Sequence, residues 1–142
     1  MEHNSEQHEE STVEETKAHY SRVAFDHATN PRNMGDMESA DGFARMTGQC
    51  GDTMQIWLKI DSGVVIDATF TTDGCHNAIA SCSMVTELAK GKSIVESKNI
   101  EQQDILDALG GLPEEGEHCA ILAAKTLKAA IEDYLRRQAQ SE

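Results

Sequence analysis

The feature that most constrains the fold is a change in the spacing of apolar residues between residues 70 and 79. Before the change, apolar and polar residues alternate over residues 54–60 and again over 66–70, and the turn sequence Asp-Ser-Gly separates the two runs. Such alternation is typical of two antiparallel strands joined as a hairpin. After the change, apolar residues recur every three or four positions, which indicates a helix with one buried face; they are Ile79, Cys82, Val85 and Ala89.

The remaining elements are predicted from shorter signals. Residues 14–29 are helix-like, and Pro31 ends them because proline disfavours helical backbone at the residue before it. Residues 42–49 supply a candidate third strand, and helices are predicted over residues 101–109 and 118–138. Strands followed by helices predict an α+β domain.

Charge and composition limit the classes of partner and compartment. The chain of 142 residues carries a formal net charge of −13, which would repel the phosphates of nucleic acid. No apolar run approaches the ~20 residues that span a bilayer, and the N-terminus is acidic where a signal peptide is basic and then apolar. We therefore expect no nucleic acid or membrane partner and a cytoplasmic location, where thiols stay reduced.

The same charge pattern suggests the domain boundaries. Residues 1–16 contain six glutamates and no lysine or arginine, so they are predicted to form a disordered acidic tail. A single domain is expected over residues 17–138, followed by a short C-terminal tail over 139–142. A chain of this length can bury a core without a structural metal.

Three of the four cysteines are predicted at the ends of secondary structure elements, near glycines. Cys50 precedes the first long strand, Cys75 follows the hairpin, and Cys119 lies where the last helix begins. Cys82 differs because it lies in the middle of a helix on the apolar stripe, so it is interpreted as a core residue. In a reducing compartment such cysteines are more often metal ligands, reactive thiols or core residues than disulfides.

Two further side chains with ligand atoms accompany these cysteines. Asp52 lies two residues after Cys50, and His118 directly precedes Cys119. Adjacent residues of a regular helix point about 100° apart, but both can converge at a helix start, where the backbone is not yet regular. Sulfur, nitrogen and oxygen ligands suit tetrahedral zinc or an iron–sulfur cluster. Because the spacing contains no CxxC pair, it leaves metal binding and structural or catalytic thiols both open.

Four segments of the chain closely resemble one protein family. The similarity extends over nearly all of residues 20–134 in the family's order, and the segments that carry it read YSRVAFDHATNPRNMG, CGDTMQIWLKID, FTTDGCHNAIASCSMVTELAKGKS and HCAILAAKTLKAAIEDY. These segments resemble the IscU/NifU-type scaffolds on which iron–sulfur clusters are assembled. The resemblance implies an IscU/SufE-like α+β fold, in which about four to five helices pack against a small three-stranded antiparallel sheet.

The resemblance also implies a function and its site. The family builds a cluster, expected to be 2Fe–2S, from iron and from the persulfide sulfur of a cysteine desulfurase, and transfers it to apo-proteins. Carried over by position, the ligand cysteines are Cys50, Cys75 and Cys119, and Asp52 and His118 are the other two site residues. Cys119 is the expected persulfide acceptor. The resemblance thus implies an assembly scaffold rather than an enzyme.

A mixed ligand set suits a scaffold that must release its cluster. Four thiolates hold a cluster tightly, whereas a carboxylate or an imidazole in place of one thiolate weakens the hold on iron. The resemblance suggests that Asp52 keeps such an exchangeable position open, and the alternative is that Asp52 caps its turn. Whether Asp52 or His118 is the fourth ligand stays open. The resemblance is also compatible with three further features. They are zinc in the purified protein, a ferredoxin or an iron donor as a partner, and a homodimer.

The chain departs from the family pattern near the last ligands. Many members read LPPVK before the His-Cys pair, a motif bound by an Hsp70-type chaperone, where residues 112–116 here read LPEEG. A site for a cationic, apolar segment should reject two carboxylates, which argues against transfer through that chaperone. His76, where many relatives carry glycine, is either a spare ligand or a solvated side chain. Tyr20 either mediates self-association or packs through the amphipathic face of its helix. The other histidines are interpreted as surface residues, and they are His3, His8, His19 and His27.

Two other functions share parts of this pattern. The first is a SufU-like zinc-dependent sulfurtransferase, which has the same fold and ligand set. That branch typically carries an insertion between its second cysteine and the last ligands, and the 44 positions from Cys75 to Cys119 leave no room for one. The second is a zinc-stabilised interaction module without catalysis.

Overall fold

The structure is a computed structural model that describes residues 20–141. Three strands form one antiparallel sheet in the order β1-β2-β3, with bounds β1 Gly42–Thr47, β2 Thr53–Asp61 and β3 Val64–Thr72. Within these residues, five helices accompany the sheet, and they are α1 Arg22–Thr29, α2 His76–Ala89, α3 Ile94–Lys98, α4 Gln102–Leu109 and α5 Glu117–Ser141. A single 3₁₀ turn, Glu114–Gly116, leads into α5. The predicted α+β class is therefore confirmed, with the expected sheet and number of helices.

The hairpin of β2 and β3 follows the predicted alternation. Leu58 pairs with Ala68, and the turn residues Ser62 and Gly63 have positive φ angles of 54° and 76°. Two consecutive residues in this conformation are the mark of the two-residue turn that matches the twist of a hairpin. The register turns one face of both strands inward, where Met54 and Phe70 are fully buried.

Helices α2 and α5 cover this inner face of the sheet. Small residues let α5 approach closely, and a Cβ atom at Gly42 of β1 would lie 2.5 Å from the carbonyl oxygen of Ala130. The core is built from aliphatic side chains and one phenylalanine, and its largest fully buried members include Met54, Ile56, Leu58, Phe70, Ile105, Leu109, Leu127 and Ile131. None of the described helices combines the length and apolar character that crossing a membrane requires.

The element boundaries differ from the prediction in three places. Helix α3 was missed, although Ser93 and Glu96 form a reciprocal capping box whose Ser-x-x-Glu signature is visible in the sequence. Helix α5 ends at Ser141 rather than at Gln138, so the predicted C-terminal tail 139–142 continues the helix over 139–141. Within the described residues, helix α1 begins at Arg22, whereas the sequence predicted helix throughout residues 14–29. The predicted acidic tail 1–16, which contains His3 and His8, lies outside the described residues, and so does His19.

The prediction that His27 lies on the surface is wrong. His27 is only 8% exposed, because α1 packs against α2 through the face that carries Ala24, His27 and Ala28. Its Nδ1 atom lies 2.7 Å from the Ser83 hydroxyl of α2. Burial lowers the pKa of the His27 imidazole, and the Arg32 cation lowers it further.

This environment predicts a loss of stability in mild acid. The folded protein keeps His27 neutral at pH values where the unfolded chain already protonates it, so the unfolded state binds more protons. The free energy of unfolding should therefore decrease as the pH falls below about 6.5, the ordinary imidazole pKa. Urea unfolding across this range measures the effect. His27→Gln should flatten the pH dependence, whereas His76→Gln at an exposed histidine should not, and equal slopes for wild type and His27→Gln would contradict the argument.

Candidate metal centre

The predicted site residues come from the ends of three elements, and these ends meet where β2 begins and β3 ends. Cys50 and Asp52 lie in the turn before β2, and Cys75 is the N-cap residue of α2. His118 and Cys119 lie in the first turn of α5. The packing of α2 and α5 on the same sheet face brings these ends together, although Cys50 and His118 are 68 residues apart.

Backbone hydrogen bonds fix the turn that carries Cys50. The Gly48 N–H donates to the Asp52 carbonyl at 2.8 Å, and the Gly51 N–H donates to the Gly48 carbonyl at 3.0 Å. Gly51 has a φ of 94°, a conformation that favours glycine. The Thr53 N–H donates to the Asp73 carboxylate at 2.8 Å, which links this turn to the segment before Cys75.

The carboxylate of Asp52 points into the site rather than onto its own turn. A Cβ atom at Gly74 would lie 2.8 Å from the Asp52 Oδ2 atom, so the glycine before Cys75 leaves room for this carboxylate. Within residues 20–141 the Asp52 side chain accepts no hydrogen bond from the turn backbone, and the turn is held by Asp73 instead. The alternative that Asp52 is a turn cap is therefore not supported by the geometry.

The ligand atoms of all five predicted residues lie close together in two overlapping groups. One atom each from Asp52, Cys75 and Cys119 lies within 4.8 Å of the other two. The Nε2 atom of His118 lies 3.3 Å from Cys50 Sγ and 3.8 Å from Cys119 Sγ. The adjacent His118 and Cys119 side chains thus converge at the helix start, and His118 joins Cys50 to the other group.

These distances suit coordination of a metal ion. Ligand atoms about 2.3 Å from a shared tetrahedral ion lie roughly 4 Å apart, so Asp52, Cys75 and Cys119 need little adjustment to bind one ion. Cys50 and His118 are not part of this group among the described residues, so either side chain would have to move closer to complete the tetrahedron. The donor set of thiolates, imidazole and carboxylate is accepted by zinc and by ferrous iron.

The site places its thiols in different environments. Cys50 and Cys75 are exposed, whereas Cys119 is 2% exposed. Burial raises the pKa of the Cys119 thiol to about 12, with additional contributions from the nearby negative charges of Cys75, Asp52 and Cys50. Crowded anionic groups of this kind favour a bound cation, which offsets their mutual repulsion.

Two other candidate ligands lie outside the group. Cys82 is fully buried in the middle of α2, as the core interpretation predicts, and burial raises its pKa far above the usual thiol range. His76 is exposed in the first turn of α2 and is not part of the metal-compatible group found among the described residues.

Sequence reasoning missed two neighbours of the site. The Asn77 side chain, two residues after Cys75, accepts a hydrogen bond of 2.8 Å from the Tyr20 hydroxyl. A groove of about 630 Å³ opens beside Cys50 and His118, with Ile121 and Lys125 of α5 among its lining residues. The spacing of His118, Ile121 and Lys125 along one helix face could have indicated this groove.

The difference in thiol environments predicts an order of reactivity. In metal-free protein, iodoacetamide should modify Cys50 and Cys75 first, then Cys119, and Cys82 only on unfolding. A thiol with a pKa of about 12 is ionised to only about one part in ten thousand at pH 8, which slows Cys119 further. Peptide mass spectrometry over time measures the four rates. Labelling of Cys119 ahead of both exposed cysteines would contradict this description of the site.

Comparisons with known proteins agree with the fold and show the family. Residues 19–141 match the family model described as the NifU-like N-terminal domain. The "iron-sulfur cluster assembly scaffold protein IscU 1" of Archaeoglobus fulgidus is 47% identical over 119 residues, which cover 83% of this chain and 78% of the relative. The scaffold protein IscU of Escherichia coli K12 is 46% identical over 120 residues, which cover 81% and 93% of the two chains.

A solved structure has the same architecture at low sequence identity. The N-terminal NifU-like protein from Brucella abortus superposes with a TM-score of 0.65 at 18% identity, covering 82% of this chain and 94% of that one. This likeness concerns the fold, whereas the family assignment follows from the extent of the sequence matches. The chain belongs to the NifU-like N-terminal domain family.

Proposed function

We propose that this protein is a scaffold on which an iron–sulfur cluster is assembled and then transferred to apo-proteins. The observation that carries the proposal is the convergence of three cysteines, one aspartate and one histidine from three separate element ends. Two of these cysteines are exposed, so the site is accessible to donors and acceptors of the cluster. Relatives at 46–47% identity bear the name of such scaffolds.

The proposed ligands of the cluster are Cys50, Cys75 and Cys119, with Asp52 or His118 in the fourth position. A cluster bound by four thiolates is typically retained, whereas one hard or neutral ligand leaves an exchangeable position. The distances favour Asp52 for an ion shared with Cys75 and Cys119, and they favour His118 for an ion shared with Cys50. The cargo is proposed to be a 2Fe–2S cluster.

Sulfur is proposed to arrive as a persulfide on a cysteine desulfurase, with Cys119 as the acceptor. The thiolate of the acceptor attacks the outer persulfide sulfur, which moves to the acceptor, and the desulfurase cysteine leaves as a thiolate. Because Cys119 is buried and its pKa is raised, this step requires a conformation in which the start of α5 is open. The neighbouring His118 is exposed and can take the thiol proton in such a conformation.

The proposed partners follow from this role. Apo iron–sulfur proteins would receive the cluster. A ferredoxin would supply electrons, and an iron donor would supply iron. The Hsp70-type chaperone remains disfavoured, because Glu114 and Glu115 are exposed and would face any protein bound to this loop. The cytoplasmic location and the homodimer stay predictions from the sequence.

A SufU-like zinc-dependent sulfurtransferase is the second candidate. The group of Asp52, Cys75 and Cys119 fits a single ion, which is the observation in its favour. A zinc ion held there would leave Cys50 beside His118 as an exposed thiol for sulfur. The two functions differ in what the protein binds when iron, sulfide and zinc are all offered.

Anaerobic reconstitution distinguishes the two candidates. Protein treated with chelator and then supplied with ferrous iron and sulfide should develop the visible absorption of a cluster, with iron and sulfide in equal amounts. Cys50→Ser, Cys75→Ser and Cys119→Ser should each lower the cluster content. Cys82→Ser is the matched control and should keep full cluster content while costing on the order of 1 kcal/mol in stability. Absence of a cluster, together with stoichiometric binding of zinc in a parallel sample supplied with zinc, would support the sulfurtransferase instead.

The role of Asp52 predicts a slower release of the cluster when its carboxylate is removed. Asp52→Ala should give a cluster that persists several-fold longer in air and transfers several-fold more slowly to an apo-ferredoxin, because the exchangeable hard ligand is lost. Asp73→Ala is the matched control, since the Asp73 carboxylate holds the same turn from outside the ligand group. It should cost about 1 kcal/mol in stability and leave transfer kinetics unchanged. Wild-type lifetime and transfer rate in Asp52→Ala would refute this role.

A further inference from the structure

A buried amide, Asn77, lies where the three segments around Cys119 meet. Asn77 is 8% exposed and belongs to the first turn of α2, two residues after Cys75. Its Oδ1 atom accepts the hydrogen bond of 2.8 Å from the Tyr20 hydroxyl, across 57 residues of sequence. Burial raises the pKa of the Tyr20 phenol, and the nearby Cys75, Glu115 and Cys119 raise it further.

The Tyr20 end of this contact is anchored independently of the site. The neighbouring Ser21 accepts the Ala24 N–H at 2.9 Å as the N-cap of α1, and its hydroxyl donates to the Leu109 carbonyl at the end of α4. The backbone that carries Tyr20 is therefore fixed to two helices. A hydrogen bond from Tyr20 holds the Asn77 amide in one orientation.

The other side of Asn77 fits against Gly116. A Cβ atom at position 116 would overlap the Asn77 amide group, so a glycine is required for the two segments to approach this closely. Gly116 is buried, and its N–H donates to the Pro113 carbonyl at 2.8 Å in the 3₁₀ turn that leads into α5. Cys119 follows only three residues later, so a shift of Gly116 also moves the Cys119 thiol.

We propose that Asn77 is a positioning residue for Cys119. Held by Tyr20 and fitted against Gly116, it keeps the start of α5 against the start of α2. The Cys119 thiol is thereby held in its buried position, within reach of Cys75 and Asp52. The consequence for cluster assembly rests on the proposed function, whereas the positioning itself is tested on the thiols of the metal-free protein.

The contact also explains why this chain carries glycine at position 116. The family motif LPPVK has lysine there, and any side chain at this position would displace Asn77. The contact between Asn77 and Gly116 thus lets the loop before α5 pack closely against α2 in this chain. Release of the pair would supply the open start of α5 that sulfur transfer to Cys119 requires.

Site-selective alkylation of the metal-free protein tests this positioning. Asn77→Ala and Tyr20→Phe should raise the labelling rate of Cys119 roughly two- to tenfold at fixed pH, the change in a local opening equilibrium when one hydrogen bond is lost. The double variant should match Asn77→Ala, because both changes remove the same contact. Gly116→Ala should raise the rate by displacing the amide. Cys50 and Cys75 rates should stay within about twofold of wild type, and Cys82 should remain protected.

Matched controls separate positioning from general destabilisation. Asn99→Ala removes an exposed amide after α3, and Tyr134→Phe removes a phenol hydroxyl elsewhere on α5; neither should change the Cys119 rate. Equal increases at Cys119 and Cys82, accompanied by a lower melting temperature, would assign Asn77 a purely structural role and overturn the proposal. An unchanged Cys119 rate in Asn77→Ala would also overturn it. If Gly116→Ala does not fold, the milder Tyr20→Phe variant still decides the question.

A second measurement keeps this proposal distinct from the proposed function. When the same variants are reconstituted with ferrous iron and sulfide, the rate of cluster formation should change in proportion to the change in the labelling rate of Cys119. Wild-type protein that binds no cluster while Asn77→Ala still exposes Cys119 would reject the proposed function and leave the positioning intact. Normal assembly with an unchanged Cys119 rate would reject the positioning alone.

Discussion

The packing of α2 and α5 onto one face of the sheet is the interaction on which the rest of the structure depends. It buries the inner residues of the hairpin and places the N-terminal ends of both helices at the same edge. Cys75 and Cys119 lie at these ends, and the turn before β2 brings Cys50 and Asp52 beside them. The small residues along α5 allow this approach, as the contact of Gly42 with the Ala130 carbonyl shows. The core and the candidate metal centre are therefore products of one packing arrangement.

The same arrangement creates an electrostatic conflict at the site. Thiols and a carboxylate that lie within 4.8 Å of one another repel when ionised, and burial of Cys119 adds a desolvation cost that raises its pKa. A bound cation relieves this conflict and stabilises the folded state by mass action. In the proposed scaffold role, repulsion in the empty site favours uptake of a cluster, and a ligand other than thiolate favours its release.

The loop before α5 departs from the LPPVK motif that many members of the family carry. The residues LPEEG replace LPPVK, and the structure gives the replacements separate consequences. Glu114 and Glu115 are exposed and change the charge that a partner protein meets. Gly116 is buried and admits the Asn77 amide, which connects the loop to α2 and to Tyr20. One short segment thus carries both an exposed charge that a partner would meet and the glycine on which the proposed positioning of Cys119 depends.

The sequence by itself determined the hairpin, the main helices and the separation of Cys82 from the other cysteines, because these depend on local periodicity and turn residues. The family resemblance supplied the five candidate site residues, and the capping box of α3 was a local signal that was overlooked. The burial of His27, the sharing of His118 between two cysteines and the contact of Asn77 with Tyr20 were decided only by the tertiary structure. These contacts join residues that are distant in sequence, and they depend on how closely packed helices approach one another, which no local pattern of residues specifies.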